Sequence, residues 1–250
     1  DALEDSWPGS AGEIRSRFDR FLAALHGDAA AATRLSEAAA SVAGAGEDLE
    51  LVAHLPRVLR VADALPAPHR APLRECVETL ASGMSRYASR SAERPPGAPY
   101  VDTEAELDEY CWIVAGCVGV MLTKLFAAEY GEGDPRLHAR RLALAPAVGR
   151  ALQLTNIALD WPSDVRRGRC YVPGSWLAES GLGPADLVGA PRPEVRALAA
   201  RLAARARESL ARVPEYVEAI PARRVRYRLF CLWPALWALG SLRAAERDPE

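Results

Sequence analysis

Three oxygen-bearing side chains are spaced four residues apart in the second half of the sequence: Asn156, Asp160 and Asp164. In an α-helix this spacing places all three on one face. Two carboxylates about 6 Å apart repel each other by about 3 kcal/mol at an effective dielectric constant near 20, so such a face is stabilised by a cation. Mg²⁺ takes one or two carboxylates together with phosphate oxygens. The spacing predicts a magnesium site, and the alternative is a solvated acidic helix face.

Three arginines follow this acidic face directly, at Arg166, Arg167 and Arg169. The guanidinium group forms forked hydrogen bonds with phosphate oxygens. The segment is therefore predicted to bind a diphosphate whose charge is shared between the metal and the arginines.

A second acidic segment opens the sequence, where Asp1, Glu4 and Asp5 repeat the same spacing in DALEDS. Two acidic helix faces can meet across a cavity and hold several Mg²⁺ ions, an arrangement that promotes ionisation of an allylic diphosphate. The alternative is an acidic helix start, which the helix dipole favours.

An apolar run of helix length, residues 110–122, begins with the phenol of Tyr110 and contains Gly116 and Gly119. Glycine costs about 1 kcal/mol relative to alanine inside a helix. The two glycines therefore indicate the close approach of a neighbouring helix or of an apolar chain.

The elements that must position these residues are predicted to be helices. The apolar periodicity is helical in segments 14–27, 32–46, 104–130, 136–160, 193–217 and 223–246. Prolines and glycine make 91–101 the clearest loop, and a polar connection covers 181–192. No alternating pattern predicts a sheet, and no composition break divides the chain. We expect an all-α helical bundle in one domain spanning residues 1–250.

Composition narrows the class of protein. The formal net charge is −2, which gives no basic footprint for nucleic acid. The five cysteines form no C-x-x-C pair and are predicted to be reduced, mostly buried thiols of an intracellular protein. No signal peptide and no unbroken apolar run of membrane-spanning length is apparent, since the longest candidate, 229–242, contains Pro234. We expect a cytoplasmic protein, and the abundance of alanine and arginine suggests a bacterial genome rich in G and C.

Taken together, these motifs resemble those of the squalene/phytoene synthase family. DALED and NIALDWPSD are similar to its two aspartate-rich motifs, GRCYVP to the basic strip that follows the second, and DEYCWIVAGCVG to its tyrosine-bearing signature. GMSRY and LFCLWPALWALGSL look like the squalene synthase versions of two further segments.

The resemblance implies an isoprenoid synthase fold with a central cavity. It also implies Mg²⁺-dependent head-to-head coupling of two farnesyl diphosphates to presqualene diphosphate, followed by reduction to squalene with NADPH. In this reading Tyr110 takes part in proton transfer; the alternative is a core tyrosine. Further substrate contacts are implied at Gln153, Tyr171, Tyr87, Phe230 and Cys231.

The sequence also departs from the family pattern. Leu159 and Ser163 stand where an arginine and an acidic residue are usual, Pro162 is expected to kink the helix, and the resemblance implies a further helix ahead of residue 1. Three other functions stay open: phytoene synthesis, formation of presqualene diphosphate or hydroxysqualene, and a non-catalytic role in assembly or binding. Because the implied substrate and product are apolar, peripheral membrane association is also expected.

Overall fold

The computed structural model describes residues 2–4, 6–42, 46–188 and 192–247. Across these residues the secondary structure is helical, with one isolated β-bridge between Pro99 and Cys170. The predicted all-α fold is confirmed. The chain divides into two compact units, residues 1–95 and 96–250, which are described separately. A single domain around a central cavity stays a prediction.

Unit 1 contains five helices in its described residues: α1 (Ala11–Leu25), α2 (Ala29–Ala40), α3 (Glu47–Ala53), α4 (Leu55–Asp63) and α5 (Ala67–Glu93). A capping box starts α1, because Ser10 accepts a hydrogen bond from the Glu13 backbone and donates its own N–H to the Glu13 carboxylate. The main packing contact joins α1 to α5. Phe18 and Leu35 are buried in this core.

Unit 2 is built around one long helix, α8. Its described helices are α6 (Glu104–Cys111), α7 (Cys117–Tyr130), α8 (Pro135–Arg166), α9 (Gly174–Glu179), α10 (Pro193–Leu210), α11 (Val213–Glu218) and α12 (Val225–Arg247). A π-helical turn (Trp112–Gly116) joins α6 to α7, and a 3₁₀ turn (Pro184–Val188) follows α9. The π-helical turn and helices α6, α7, α10, α11 and α12 all pack against α8.

Two glycines let the α6–α7 segment touch α8 through the backbone. A Cβ atom on Gly119 would lie 2.3 Å from the Ala145 carbonyl oxygen, and one on Gly149 would lie 2.1 Å from the Ala115 carbonyl oxygen. The close approach predicted from Gly119 is therefore confirmed, and the neighbour is a helix. At Gly116 the obstacle is different, because an added Cβ would meet the ring of Trp112 at 2.6 Å.

Two local features differ from the sequence prediction. The segment 104–130 was expected to be one regular helix, but it contains the π-helical turn, a feature often found at functional sites. The helix expected to end at Asp160 continues through Pro162 to Arg166, and the Ser163 hydroxyl donates to the Asp160 carbonyl oxygen at 2.8 Å. Asp164 therefore lies on the same helix as Asp160.

Two helical stretches of unit 2 are long and apolar enough, by length and composition alone, to cross a membrane. They are Glu104–Tyr130, with a mean hydropathy of 1.9, and Pro135–Arg166, with 1.2. This is weak evidence, because core helices of soluble proteins pass the same test. In unit 2 the two stretches pack against each other.

Candidate active site

The acidic face predicted from the second motif lies on the last turns of α8. Asn156 and Asp160 are exposed, while Asp164 is half-buried. Burial raises the pKa of Asp164, the negative charge of Asp160 raises it further, and Arg167 and Arg169 lower it. The two carboxylates are thus close enough to destabilise each other.

The basic turn after α8 folds back onto its last acidic residue. Arg167 caps the helix, and the backbone N–H of Arg169 donates to the Asp164 carbonyl oxygen at 2.8 Å. Gly168 between them has a φ of 82°, a left-handed conformation that suits glycine. Arg166 and Arg167 are exposed and Arg169 is half-buried. This turn places positive charge beside the acidic face.

Residues 99–101, ahead of α6, pair with residues 170–174, which follow the basic turn. We call this paired segment the strap. The Tyr100 N–H donates to the Cys170 carbonyl oxygen at 2.6 Å, and the Gly174 N–H donates to the Val101 carbonyl oxygen at 3.1 Å. The sequence analysis predicted that segment 91–101, which contains Tyr100, is an irregular loop, and it did not predict the pairing with Cys170. The strap fixes Tyr100 and Tyr171 beside the C-terminal end of α6.

Three tyrosine rings meet at the strap. The Tyr110 ring stacks on Tyr171 at a centroid distance of 5.2 Å and meets Tyr100 edge-on at 5.5 Å. Tyr100 and Tyr171 are 5.1 Å apart. Tyr100 and Tyr110 are buried, and Tyr171 is half-buried. We call these three residues the tyrosine cluster.

Charged residues on α10 fix α6, and with it Tyr110. Arg205 pairs with Asp108 at 2.5 Å and with Glu104 at 3.3 Å. Arg201 pairs with Glu104 at 3.0 Å and lies over the ring of Trp176, whose indole N–H donates to Glu104. These contacts join α6 to α10 and to Trp176 of α9.

The cysteines next to the tyrosine cluster are not activated. Burial raises the pKa of Cys111 to about 12, with a further contribution from Asp108. Burial also raises the pKa of Cys170 to about 11. Both thiols therefore stay protonated at neutral pH and are poor nucleophiles.

A second group of phenols lies in the core between α7, α11 and α12. The Tyr216 hydroxyl lies 2.5 Å from that of Tyr227 and 2.6 Å from the Thr123 hydroxyl. Burial raises the pKa of both tyrosines, so they remain neutral. Cys231, a predicted substrate contact, packs against this core, and Phe230 is 53% exposed.

The donors on α8 suit magnesium, because they are two carboxylates and an amide with no soft ligand among them. Burial is the main reason that the pKa of Asp164 is raised, and a cation would relieve the additional repulsion from Asp160. Among the described residues no group of three or more His, Cys, Asp and Glu side chains is placed to hold a metal ion alone. Further oxygen ligands are needed, and a diphosphate would provide them.

The first acidic motif is only partly described. Asp1 and Asp5 lie outside the described residues, and Glu4 is half-buried in unit 1. Tyr87, also in unit 1, is buried on α5, and the guanidinium groups of Arg86 and Arg90 lie over its ring. The roles predicted for Asp1, Glu4, Asp5 and Tyr87 stay predictions.

Arg17 on α1 anchors the segment that carries the first motif. Its guanidinium donates to the carbonyl oxygens of Leu3, Trp7 and Pro8 and lies over the Trp7 ring. Only 6% of the residue is exposed. A buried arginine with three backbone acceptors holds Leu3, Trp7 and Pro8 against α1.

Sequence reasoning missed Arg17 and Tyr100. Arg17 lies next to the apolar stripe of segment 14–27 in the sequence, and Tyr100 lies at the end of a proline-rich loop. An arginine next to a buried face is a usable signal, because a buried guanidinium needs acceptors. Tyr100 had no comparable local signal.

The chain shows matches to known proteins at both the sequence and the fold level. The model of a family described as squalene/phytoene synthase matches residues 13–250. A bifunctional lycopene cyclase/phytoene synthase of Arthroderma gypseum is 35% identical over 143 residues, which cover 57% of this chain and 24% of that protein. A squalene synthase of Gibberella zeae is 34% identical over 127 residues, covering 51% of this chain and 26% of that protein. These matches span about a quarter of each relative's length.

Among solved structures, the squalene synthase HpnC from Alicyclobacillus acidocaldarius superimposes with a TM-score of 0.60. The match has 22% identity and covers 99% of this chain and 78% of that one. A dehydrosqualene synthase in complex with a ligand gives a TM-score of 0.58 at 22% identity, covering 95% and 75%. At this identity the likeness establishes the fold.

Proposed function

Because the chain belongs to the squalene/phytoene synthase family, we propose that it couples two farnesyl diphosphates head to head, through presqualene diphosphate, to squalene. Members of this family are prenyltransferases that act on prenyl diphosphates. Farnesyl diphosphate is proposed as the substrate, in preference to geranylgeranyl diphosphate, because the segments GMSRY and LFCLWPALWALGSL look like those of squalene synthases.

One observation supports the proposal most strongly. Within unit 2 the acidic face of α8 leads directly into the basic turn, and the basic turn leads into the tyrosine cluster. Arg169 bonds to the Asp164 backbone, and Tyr171, two residues later, stacks on Tyr110. An arginine-rich turn and a buried phenol cluster are therefore joined by one short stretch of chain.

In the proposed reaction Asn156, Asp160 and Asp164 would hold Mg²⁺, and diphosphate oxygens would complete its ligands. Mg²⁺ supplies Lewis-acid stabilisation of the departing diphosphate. Arg166, Arg167 and Arg169 share the negative charge that develops when the allylic C–O bond breaks and diphosphate leaves with the electron pair.

The remaining chemistry takes place on the carbon skeleton. The double bond of the second prenyl diphosphate attacks the allylic cation, and loss of a proton closes the cyclopropane. Tyr110 is proposed to take part in that proton transfer. Its ring is buried between two other aromatic rings, and such walls exclude the water that would otherwise convert the cation to an alcohol.

Phytoene synthesis from two geranylgeranyl diphosphates is the second candidate. The reason is that curated relatives include phytoene synthases, among them a 15-cis-phytoene synthase of Paracoccus sp. that is 41% identical over 97 residues, covering 38% of this chain and 28% of that protein. NADPH is proposed from family resemblance alone, for the reduction that squalene formation requires. A cytoplasmic location with peripheral membrane association completes the proposal.

The test is to incubate the purified chain with farnesyl or geranylgeranyl diphosphate and Mg²⁺, with and without NADPH, and to identify the product by mass spectrometry. Squalene that depends on NADPH is the expected result. Phytoene without reductant supports the second candidate, and a product that stops at presqualene diphosphate or hydroxysqualene identifies a specialised variant. A folded protein that releases no diphosphate from either substrate contradicts the proposal and favours a binding or assembly role.

Two variants test the site itself. Asp160→Asn is expected to lower turnover by about 10²-fold or more, because it removes a metal ligand. Asp186→Asn, on the 3₁₀ turn of the same unit, is the control that changes a carboxylate outside the acidic face. Tyr110→Phe keeps the ring packing, so a loss of coupled product with continued diphosphate release indicates a role for the hydroxyl in proton transfer.

A further inference from the structure

Helix α12 exposes a row of large apolar side chains to solvent. They share one face of the helix at successive turns and are 40%, 57%, 52% and 73% exposed at Leu229, Trp233, Leu236 and Trp237 respectively. We call these four residues the tryptophan face. Single exposed apolar side chains are common on proteins, but a contiguous patch with two tryptophans indicates a binding surface.

The rest of α12 already has its packing partners. Tyr227, Ala235, Ala238 and Leu242 are buried, and the helix packs against α8, α10 and α11. Phe230 lies at the edge of the tryptophan face and meets the ring of Phe126 at 5.4 Å. The tryptophan face is therefore a second apolar surface of a helix whose first apolar surface is buried.

The charge that α12 itself carries along this face has one sign. Between residues 219 and 245 there is no acidic residue, and the arginines are Arg223, Arg224, Arg226, Arg228 and Arg243. Two of them are held internally, since Arg224 donates to the Tyr130 carbonyl oxygen and Arg228 to that of Val217. The other three are exposed.

The exposed arginines lie at the two ends of the tryptophan face. Arg226 precedes Trp233 by two helical turns, and Arg243 follows Leu236 by the same interval, so each falls on the side of the helix that carries these apolar residues. Long arginine side chains can extend toward charged groups while their stems lie along apolar surface. The face thus combines an apolar centre with cationic ends.

This charge pattern disfavours a second copy of the chain as the occupant. Two tryptophan faces packed together would bring arginines toward arginines with no carboxylate from α12 between residues 219 and 245 to pair with them. An anionic lipid surface matches both features, because tryptophan favours the membrane–water interface and arginine is attracted to anionic headgroups.

We propose that the tryptophan face of α12 binds the surface of an anionic lipid bilayer. It adds to the peripheral membrane association proposed above by naming the surface and the lipid charge, and it does not depend on catalytic turnover. A surface of this kind would hold the protein where apolar prenyl compounds concentrate.

The test is co-sedimentation of the purified 250-residue chain with vesicles of phosphatidylcholine alone or mixed with phosphatidylglycerol. Stronger binding to the anionic vesicles, weakened by salt, is the expected result. The Trp233→Gln/Trp237→Gln double variant is expected to bind at least about tenfold more weakly, since it removes two large interfacial side chains. The Arg226→Gln/Arg243→Gln variant should lose the preference for anionic vesicles.

A matched control comes from unit 1, where Leu51 and Val61 are 62% and 63% exposed. The Leu51→Ser/Val61→Ser variant removes exposed apolar surface elsewhere and is expected to bind vesicles as the parent does. Thermal melts by circular dichroism should be unchanged for the tryptophan variant, because its side chains are exposed. Brominated lipids should quench tryptophan fluorescence of the parent more than that of the variant.

Several results overturn the proposal. They are equal binding to neutral and anionic vesicles, binding that survives the tryptophan substitutions, and equal loss of binding in the control variant. A concentration-dependent dimer that the tryptophan substitutions abolish identifies a second copy of the chain as the occupant instead. Because coupling activity in the absence of vesicles is measured separately, failure of this proposal and failure of the proposed function are distinguishable.

Discussion

The backbone contact between α8 and the π-helical turn makes Gly149→Ala the most informative substitution in unit 2. Replacing glycine by alanine in an open helical position stabilises a helix by about 1 kcal/mol. At Gly149 the new Cβ would lie 2.1 Å from the Ala115 carbonyl oxygen and 2.8 Å from its carbon. Because the obstacle is backbone, no side chain can rotate away.

The magnitude follows from the separation that the new atom requires. Cβ contacts shorter than 3.0 Å are essentially not observed, so the two backbones must move apart by about 1 Å. A gap of that size removes a quarter to a half of the dispersion energy of each contact along the seam. We expect a net loss of about 2–3 kcal/mol, which corresponds to a Tm about 4–12 °C lower for a unit of this size.

The assay is thermal and urea unfolding of the parent, of Gly149→Ala and of the control Gly240→Ala. An added Cβ at Gly240, inside α12, meets no atom within 4 Å. The control is therefore expected to be as stable as the parent or more stable by up to about 1 kcal/mol. If both variants shift in the same direction by similar amounts, helix propensity dominates and the argument from backbone contact is refuted.

Three further predictions concern buried polar groups. Arg17→Met is expected to destabilise unit 1 by about 2–4 kcal/mol in urea unfolding, because three carbonyl groups lose a charged donor; stability equal to the parent would show that water replaces the guanidinium. Tyr216→Phe should cost about 1–2 kcal/mol by the same measurement, since it leaves the buried Tyr227 hydroxyl without one partner, whereas no loss would mean that the hydroxyl bond contributes nothing. The raised pKa of Asp164 means that its ionised form is disfavoured in the fold, so the stability it contributes falls as pH rises through the range between its unfolded and folded pKa values. Asp160→Asn lowers that pKa and should make the protein more stable than the parent at pH 7, with a difference that shrinks toward pH 3; a less stable variant at pH 7 would point to a structural ion pair of Asp160.

Part of the helical content was predictable because segments such as 14–27 carry a clear apolar period of their own. The prediction for 223–246 and the observed α12 differ by two residues at the start and one at the end. The π-helical turn at Trp112–Gly116 was not predicted, because the apolar run 110–122 has the composition of one regular helix. The helical pattern was predicted to end at Asp160, whereas α8 continues through Pro162 to Arg166, although proline removes one helical hydrogen bond.

The acidic face and basic turn could be predicted from sequence because their members are neighbours along the chain. The spacing predicted that Asp160 and Asp164 lie close together. The charge of Asp160 raises the pKa of Asp164, which agrees with that prediction. Tyr100 depends on pairing with Cys170, far along the chain, and such contacts leave no periodic signal. Arg17 depends on the path of a loop, which residue type alone does not specify.

The pairing of Pro99 with Cys170 closes a loop of about seventy residues that contains α8, so it costs more chain entropy than the local contacts within α8. The three aromatic rings should therefore come together late in folding, after the helices on either side. In a pulse-labelling hydrogen exchange experiment the Tyr100 amide, which donates to Cys170, should gain protection more slowly than the amides within α8. A nascent chain would then form the helix that carries the acidic face before the tyrosine cluster assembles.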